Sequence, residues 1–210
     1  MSSARDDILE RVRRTTREPE RATDVPAREA LHPHWDGPLL DRFAGRLEAA
    51  AGTLARATTA AGVVKEIRRY LAGREAATDP VLAPHPLLER LPWPDDFKVL
   101  RRPFEAHDRV AISVAFAGIA ETGSLVLGSS RQTPTLLNFL PDIYLCVIDA
   151  ERVVPYMEDA FRLMLEEQGA FPRSLNLITG PSRTADVEQT IQLGAHGPRN
   201  VHVILWEEQP

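Results

Sequence analysis

The 210-residue chain contains a single cysteine. No disulfide can form within it, and an iron–sulfur cluster, which normally takes four thiolates, cannot be held by this chain alone. Zinc sites built on paired cysteines are excluded on the same ground. Any electron chemistry linked to the protein must therefore take place on a partner or on a bound organic cofactor. Aromatic residues are scarce, at 6%, too few for the stacking platforms that grip single-stranded nucleic acid. Positive charge is not in excess. The formal net charge is −5 and the pI is near 5.7, which argues against nucleic-acid or anionic-membrane affinity. No apolar run approaches the roughly 18 residues of a membrane span. The opening MSSARDDILERVRR is charged throughout, without the apolar core of a signal peptide. A cytoplasmic protein without a membrane span is expected. Also missing are the phosphate-loop pattern GxxxxGK[ST], the GxGxxG fingerprint (Gly118, Gly123 and Gly128 are wrongly spaced) and a GxSxG nucleophile elbow.

What is present suits an ordinary α/β domain. Hydrophobic residues make up 43% of the chain, and the length allows one sizeable domain with an appendage. Residues 1–35 stand apart, with balanced charge and few apolar residues. Ile8, Leu9 and Val12 make a narrow stripe on one short amphipathic helix, followed by a loose arm through Pro19 and Pro26. That segment reads as a solvated helix or as a docking arm for a partner subunit. His32, His34 and Asp36 are metal-ligand types, but the prolines among them make a rigid turn, and no metal is expected.

Residues 36–210 read as a single α/β domain. Helical periodicity marks 39–50 and 63–71, with Phe43 and Leu47 four apart. A short strand lies between Pro80 and Pro84, and a helical turn covers 87–91. Residues 109–117 and 143–148 are continuous apolar runs, as in parallel strands buried on both faces. Another strand is expected at 125–127. A helix is expected from Pro155 to Gln168, with Gly169 closing it. The alternation predicts a mostly parallel, Rossmann-like sheet flanked by helices. Cys146, inside an apolar run, reads as a buried structural thiol.

Two segments carry most of the candidate chemistry. Asn176–Trp206 reads as strand, polar turn, helix, glycine-rich turn and strand, that is, a right-handed parallel crossover. Ser182 or Thr184 would cap the helix, Asp186 and Glu188 would sit at its positive end, and Gly194 would close it. Free backbone N–H groups after Gly180, with Arg183 and the hydroxyls of Ser182 and Thr184, suit a carboxylate or phosphate. The plainer reading is a well-capped helix. In the second segment, Gly118–Ser124, two glycines permit close approach of a ligand, and Glu121, Thr122 and Ser124 supply polar groups beside a buried strand. The plainer reading is a tight turn whose hydroxyls satisfy its own backbone. His196, before Gly197-Pro198, is a general acid or base or a hydrogen-bonded turn residue.

Three stretches, GIAETGSLVL (118–127), LPDIYLCVI (140–148) and GPSRTADVEQTIQLGAHGPRNVHVIL (180–205), closely resemble the LUD-domain family, in particular its lactate utilisation protein C branch. The resemblance implies a fold like the sugar-phosphate isomerase and CoA-transferase superfamily. It also implies a role in oxidising L-lactate to pyruvate with two partner proteins that carry iron–sulfur clusters. A cluster-free subunit that binds a small anion fits the single cysteine. The matching positions are Glu121, Thr122, Gly123 and Ser124, then Gly180 to Asp186, then His196 and Gly197. The alternative is a stand-alone enzyme or sensor for a small carboxylate, CoA ester or sugar phosphate, with Glu121 as nucleophile by analogy with CoA-transferases. The resemblance leaves any cofactor unknown.

Overall fold

The computed structural model describes residues 4–15, 34–74, 79–185, 191–193 and 197–207. The chain divides into two units, residues 1–35 and 36–210. In the first, helix α1 (Ala4–Thr15) carries acids Asp6 and Asp7 in its first turn and leaves Ile8 and Leu9 exposed.

The larger unit begins with α2 (Leu39–Ala49), strand β1 (Thr53–Ala57) and α3 (Ala60–Ala72). Thr59 caps α3 by accepting the Gly62 N–H at 3.0 Å. Next come β2 (Val81–Leu82), the short helix α4 (Pro86–Glu89), β3 (Val110–Val114), β4 (Ala117–Ile119) and β5 (Ser124–Gly128). After a 3-10 turn (Thr135–Asn138) follow β6 (Ile143–Asp149), β7 (Val153–Val154), α5 (Met157–Gln168), β8 (Leu175–Ile178), β9 (Arg183–Ala185), β10 (Ile191–Leu193) and β11 (Asn200–Trp206). Among the described residues no helix is long and apolar enough to cross a membrane.

The central sheet has the order β1-β11-β6-β3-β2, and every pairing in it is parallel. Its inner strands are mostly apolar and buried along nearly their whole length, because both faces are covered. Residue parity assigns the faces. His202 pairs in register with Leu145, so both point one way, and the His202 ring stacks on Tyr70 of α3 with centroids 3.8 Å apart. Ile148 has the opposite parity and packs near Phe43 of α2 across Gly118. Helices α3 and α2 therefore cover opposite faces.

A second sheet, β7-β4-β5-β8, is mostly antiparallel and was not expected from the sequence. It arises because the apolar run 109–117 is not one strand. The chain leaves the parallel sheet after Val114 and enters the second sheet at Ala117. One face of β4, at Gly118, lies on Phe43 and Ile148. The other, at Ala117 and Ile119, packs with Val126 of β5 and with Ala160 and Met164 of α5. Strand β1 was also unexpected, since TLARA offers only one large apolar side chain.

The expected crossover near the C-terminus is not formed. Strand β8 belongs to the second sheet, paired antiparallel with β5, while β11 belongs to the parallel sheet. Between them, β9 and β10 pair antiparallel as a two-stranded ribbon, where a helix from Ser182 or Thr184 was expected. Pairing of Arg183–Ala185 with Ile191–Leu193 overrides the helical reading at those residues, and Val187 lies outside the described residues. Asp186, Glu188, Gly194 and His196 lie outside the described residues.

Two glycines set the distance between α2 and the second sheet. Gly123 has φ +71, and a Cβ there would sit 2.3 Å from the Leu47 nitrogen; Gly180 has φ +74, and a Cβ there would sit 2.3 Å from the Ala50 oxygen. Gly169 shares the left-handed conformation (φ +72) but faces open space. Gly169→Ala is therefore expected to cost about 1–2 kcal/mol for backbone strain alone. Gly123→Ala and Gly180→Ala should each cost about 2–5 kcal/mol, because overpacking against backbone adds to that strain. Urea midpoints of the three variants check this, and equal losses would contradict it.

His202 supplies a pH prediction. It is 3% exposed, its Nδ1 lies 2.8 Å from the Thr53 hydroxyl, and burial, then the cations Arg74 and Arg69, push its pKa from 6.5 down to about 4. The unfolded chain binds that proton more readily, so stability is full above pH 6.5 and is lost as pH falls toward 4. The loss attributable to this group is about 3 kcal/mol. Denaturant unfolding of His202→Gln between pH 7 and pH 4.5 should show a correspondingly flatter profile than the unsubstituted chain.

Candidate functional site

The two segments singled out in the sequence do come together. Strands β5 and β8 pair with Leu125 opposite Ile178, which sets Ser124 beside Thr179. Thr122, Ser124 and Thr179 form a chain of hydroxyls, at 2.6 Å and 2.5 Å. Each hydroxyl is thus engaged by a neighbour. Ser124 is 4% exposed, Thr122 is exposed, and Glu121 is partly exposed with its backbone N–H donating to the Pro155 oxygen at 3.0 Å. No hydrogen bond or ion pair joins the Glu121 side chain to another described residue. Gly123 and Gly180 are occupied by their contact with the end of α2.

The place of this cluster matters chemically. Ala50, which Gly180 touches, precedes β1 by three residues, and the Ser182 N–H donates at 2.9 Å to the oxygen of Pro198, which precedes β11 by two. The cluster thus lies at the amino ends of the parallel strands, next to the C-terminal end of α2. Helix C-termini carry partial negative charge and repel anions. The helix start that was to attract an anion after Gly180 is a strand instead. Arg183 is exposed on β9, and Thr184 follows it there. The hydroxyls and glycines here are accounted for by structure.

The opposite, carboxyl edge of the parallel sheet carries open space, as expected for open α/β sheets. A cavity of about 360 Å³ is lined by Ala60, Leu87, Arg90, Leu91, Asp149 and Trp206. Asp149 and Trp206 are the last residues of β6 and β11, and they are in register. Ala60 begins α3, whose first-turn N–H groups supply positive potential. Arg90 is exposed and has no carboxylate partner among the described residues. Asp149 uses Oδ1 to accept the Glu151 N–H at 2.9 Å, which leaves its other oxygen available. The Trp206 Nε1–H is buried without a hydrogen-bond partner among the described residues.

A smaller, more polar cavity of about 120 Å³ lies at the end of β3, lined by His85, Ala115, Ser130, Gln132, Thr133 and Gln168 among others. His85 Nδ1 accepts the Leu87 N–H at 3.2 Å, which places the proton of the neutral ring on Nε2. Burial, then the charge of Arg90, lowers the His85 pKa. The imidazole is therefore a neutral donor at pH 7. Ser130 and Thr133 are consumed in their own turn, bonding each other and the Gln132 and Thr133 N–H groups. Among the described residues no group of three metal-ligating side chains exists.

Sequence reasoning missed His85, Arg90, Asp149 and Trp206. The signal was positional: His85 lies directly beyond the strand between Pro80 and Pro84, and Asp149 ends the apolar run 143–148. Both lie at the carboxyl ends of strands, where α/β ligands bind. Arg90 and Trp206 had no local signal.

A family profile for the LUD domain matches residues 40–206. Lactate utilization protein C of Geobacillus kaustophilus is 30% identical over 168 residues, covering 70% of each chain. Lactate utilization protein C of Geobacillus thermodenitrificans is 36% identical over 110 residues, covering 50% of this chain and 46% of that one. The crystal structure of a DUF162 family protein from Deinococcus radiodurans superposes with a TM-score of 0.61 at 20% identity, over 82% of this chain and 99% of that one. That likeness supports the α/β fold with its mostly parallel central sheet. On the extent of the profile match and the identity to these relatives, the chain belongs to the LUD domain family.

Proposed function

We propose that this protein is the cluster-free subunit of a cytoplasmic system that oxidises L-lactate to pyruvate, and that it holds the small hydroxy acid in the 360 Å³ cavity at the carboxyl edge. The observation that supports the site is the presence of Arg90, which has no ion-pair partner among the described residues, and a carboxylate acceptor, Asp149, around one cavity. Arg90 takes the ligand carboxylate and the available Asp149 oxygen accepts its 2-hydroxyl. Leu87, Leu91 and Trp206 cover the methyl group. The two relatives named above carry lactate utilization in their names.

The chain's own redox inventory supports the subunit role. Cys146 is fully buried, and burial pushes its pKa up to about 11. It hydrogen-bonds within a network of Ser113, Tyr144 and Asn138 and is not poised as a thiolate. On this reading the two electrons released as lactate becomes pyruvate pass to the two iron–sulfur partner proteins that the family resemblance implies, and the two protons go to solvent. On this reading Glu121, Thr122, Gly123, Ser124, Gly180 and Ser182 build the amino edge and do not touch the ligand.

Titration of the purified chain with L-lactate and with pyruvate, followed by NMR, tests the site. Arg90→Gln should weaken both ligands by about tenfold or more, the loss of a charge-assisted hydrogen bond. Asp149→Asn should weaken lactate more than pyruvate, which lacks the hydroxyl. Glu121→Gln and Arg183→Gln should leave both unchanged. Loss of binding in Glu121→Gln or Arg183→Gln with Arg90→Gln unaffected would move the ligand to the amino edge.

A further inference from the structure

A third cavity, larger than either of those above, lies along the β2 edge of the parallel sheet. Its volume is about 640 Å³, within the range of small-molecule sites. Leu82, Pro84, Phe104, Pro134, Leu136 and Leu137 supply its apolar wall. Pro103 and three charged residues, Glu89, Arg101 and Arg102, complete the lining. Among the described residues no hydroxyl or amide side chain lines it. The extended apolar wall would leave most hydroxyls of a sugar or nucleoside without a hydrogen-bond partner, at a cost for every one buried.

The charged residues are not equivalent. Arg102 is held in a two-pronged pair with Asp108, at 2.7 and 2.8 Å, and Asp108 also accepts the Glu105 N–H at 2.7 Å. That brace fixes the 101–108 loop as a rigid wall. Arg101 is bound differently: only its Nε is engaged, donating to Glu89 at 2.8 Å. Its two terminal nitrogens make no hydrogen bond among the described residues, and they present the fork that fits a carboxylate. Leu136 lines the same cavity yet is 61% exposed. Its apolar surface remains uncovered in the protein as it stands.

We propose that this cavity binds an amphipathic carboxylic acid, with the tail along Leu82, Pro84, Pro134, Leu136 and Leu137 and the head group on the free fork of Arg101. Burying the exposed face of Leu136 and the cavity wall under the tail gives the hydrophobic gain. Arg101 gives the selectivity for an acid over an alcohol. This site is separate from the hydroxy-acid cavity, with which it shares no lining residue.

Calorimetric titration of the full chain with decanoate and with decanol tests the assignment, and circular dichroism checks that each variant is folded. Decanoate is expected to saturate one site. Arg101→Gln should weaken decanoate about tenfold or more while leaving decanol unchanged. Leu136→Asp, an exposed substitution that should leave the fold intact, is expected to weaken both. Saturating L-lactate should not displace decanoate, whatever the fate of the hydroxy-acid site. Absence of saturable decanoate binding would overturn the proposal. So would equal binding to all three chains, which marks a non-specific surface, or displacement by L-lactate, which places the acid beside Arg90.

Discussion

The close approach of two glycines to the end of α2 governs how this fold is assembled. Gly123 and Gly180 come from different turns of the second sheet, yet both meet the same stretch of backbone, Leu47 to Ala50. Neither contact leaves room for a Cβ, and both residues adopt a left-handed conformation that other residues take at a cost. Phe43, from the same helix, fills the space between Gly118 and Ile148. Helix α2 is thus the shared layer between the two sheets. The hydroxyls of Thr122, Ser124 and Thr179 close the polar groups of the turns on one another.

This arrangement divides the molecule by chemistry. The amino edge of the parallel sheet is taken up by structural contacts, beside the negative end of a helix. The carboxyl edge has the positive start of α3, Arg90 with no carboxylate partner among the described residues, and an acceptor on Asp149, around one cavity. A neutral His85 lies close enough to feel the charge of Arg90. The start of α3 and Arg90 bring positive charge to the second edge, and the Asp149 carboxylate beside them offsets part of it. The buried Ser113–Tyr144–Asn138 network beneath the 3-10 turn anchors that loop to strands β3 and β6, so the wall of the β2-edge cavity rests on a satisfied core.

Much of the fold was legible in the sequence. The helices at α2, α3 and α5 follow from apolar residues spaced three and four apart, and β6 from an unbroken apolar run. Gly169 closes α5 in the left-handed conformation, as its position implied. What was not legible depends on long-range pairing. The break between β3 and β4 leaves no polar residue in the sequence, because both strands are buried. The ribbon β9–β10 is written in residues that would also suit a helix. The glycines and hydroxyls of the family motifs were visible, but the backbone that Gly123 and Gly180 meet, the end of α2, lies about 70 residues or more away in sequence, so their packing role was not legible locally. The carboxyl-edge residues come from four separate elements, and only the register of β6 with β11 brings Asp149 to Trp206.

The central functional claim is that this chain works as a cluster-free partner of iron–sulfur proteins. Native purification of the tagged chain from lactate-grown cells, with mass spectrometry and iron analysis of the eluate, tests it most directly. The account predicts cysteine-rich partners that bring iron with them. Recovery of the chain alone and iron-free, with full lactate turnover in that fraction, would contradict it and assign the reaction to the chain by itself.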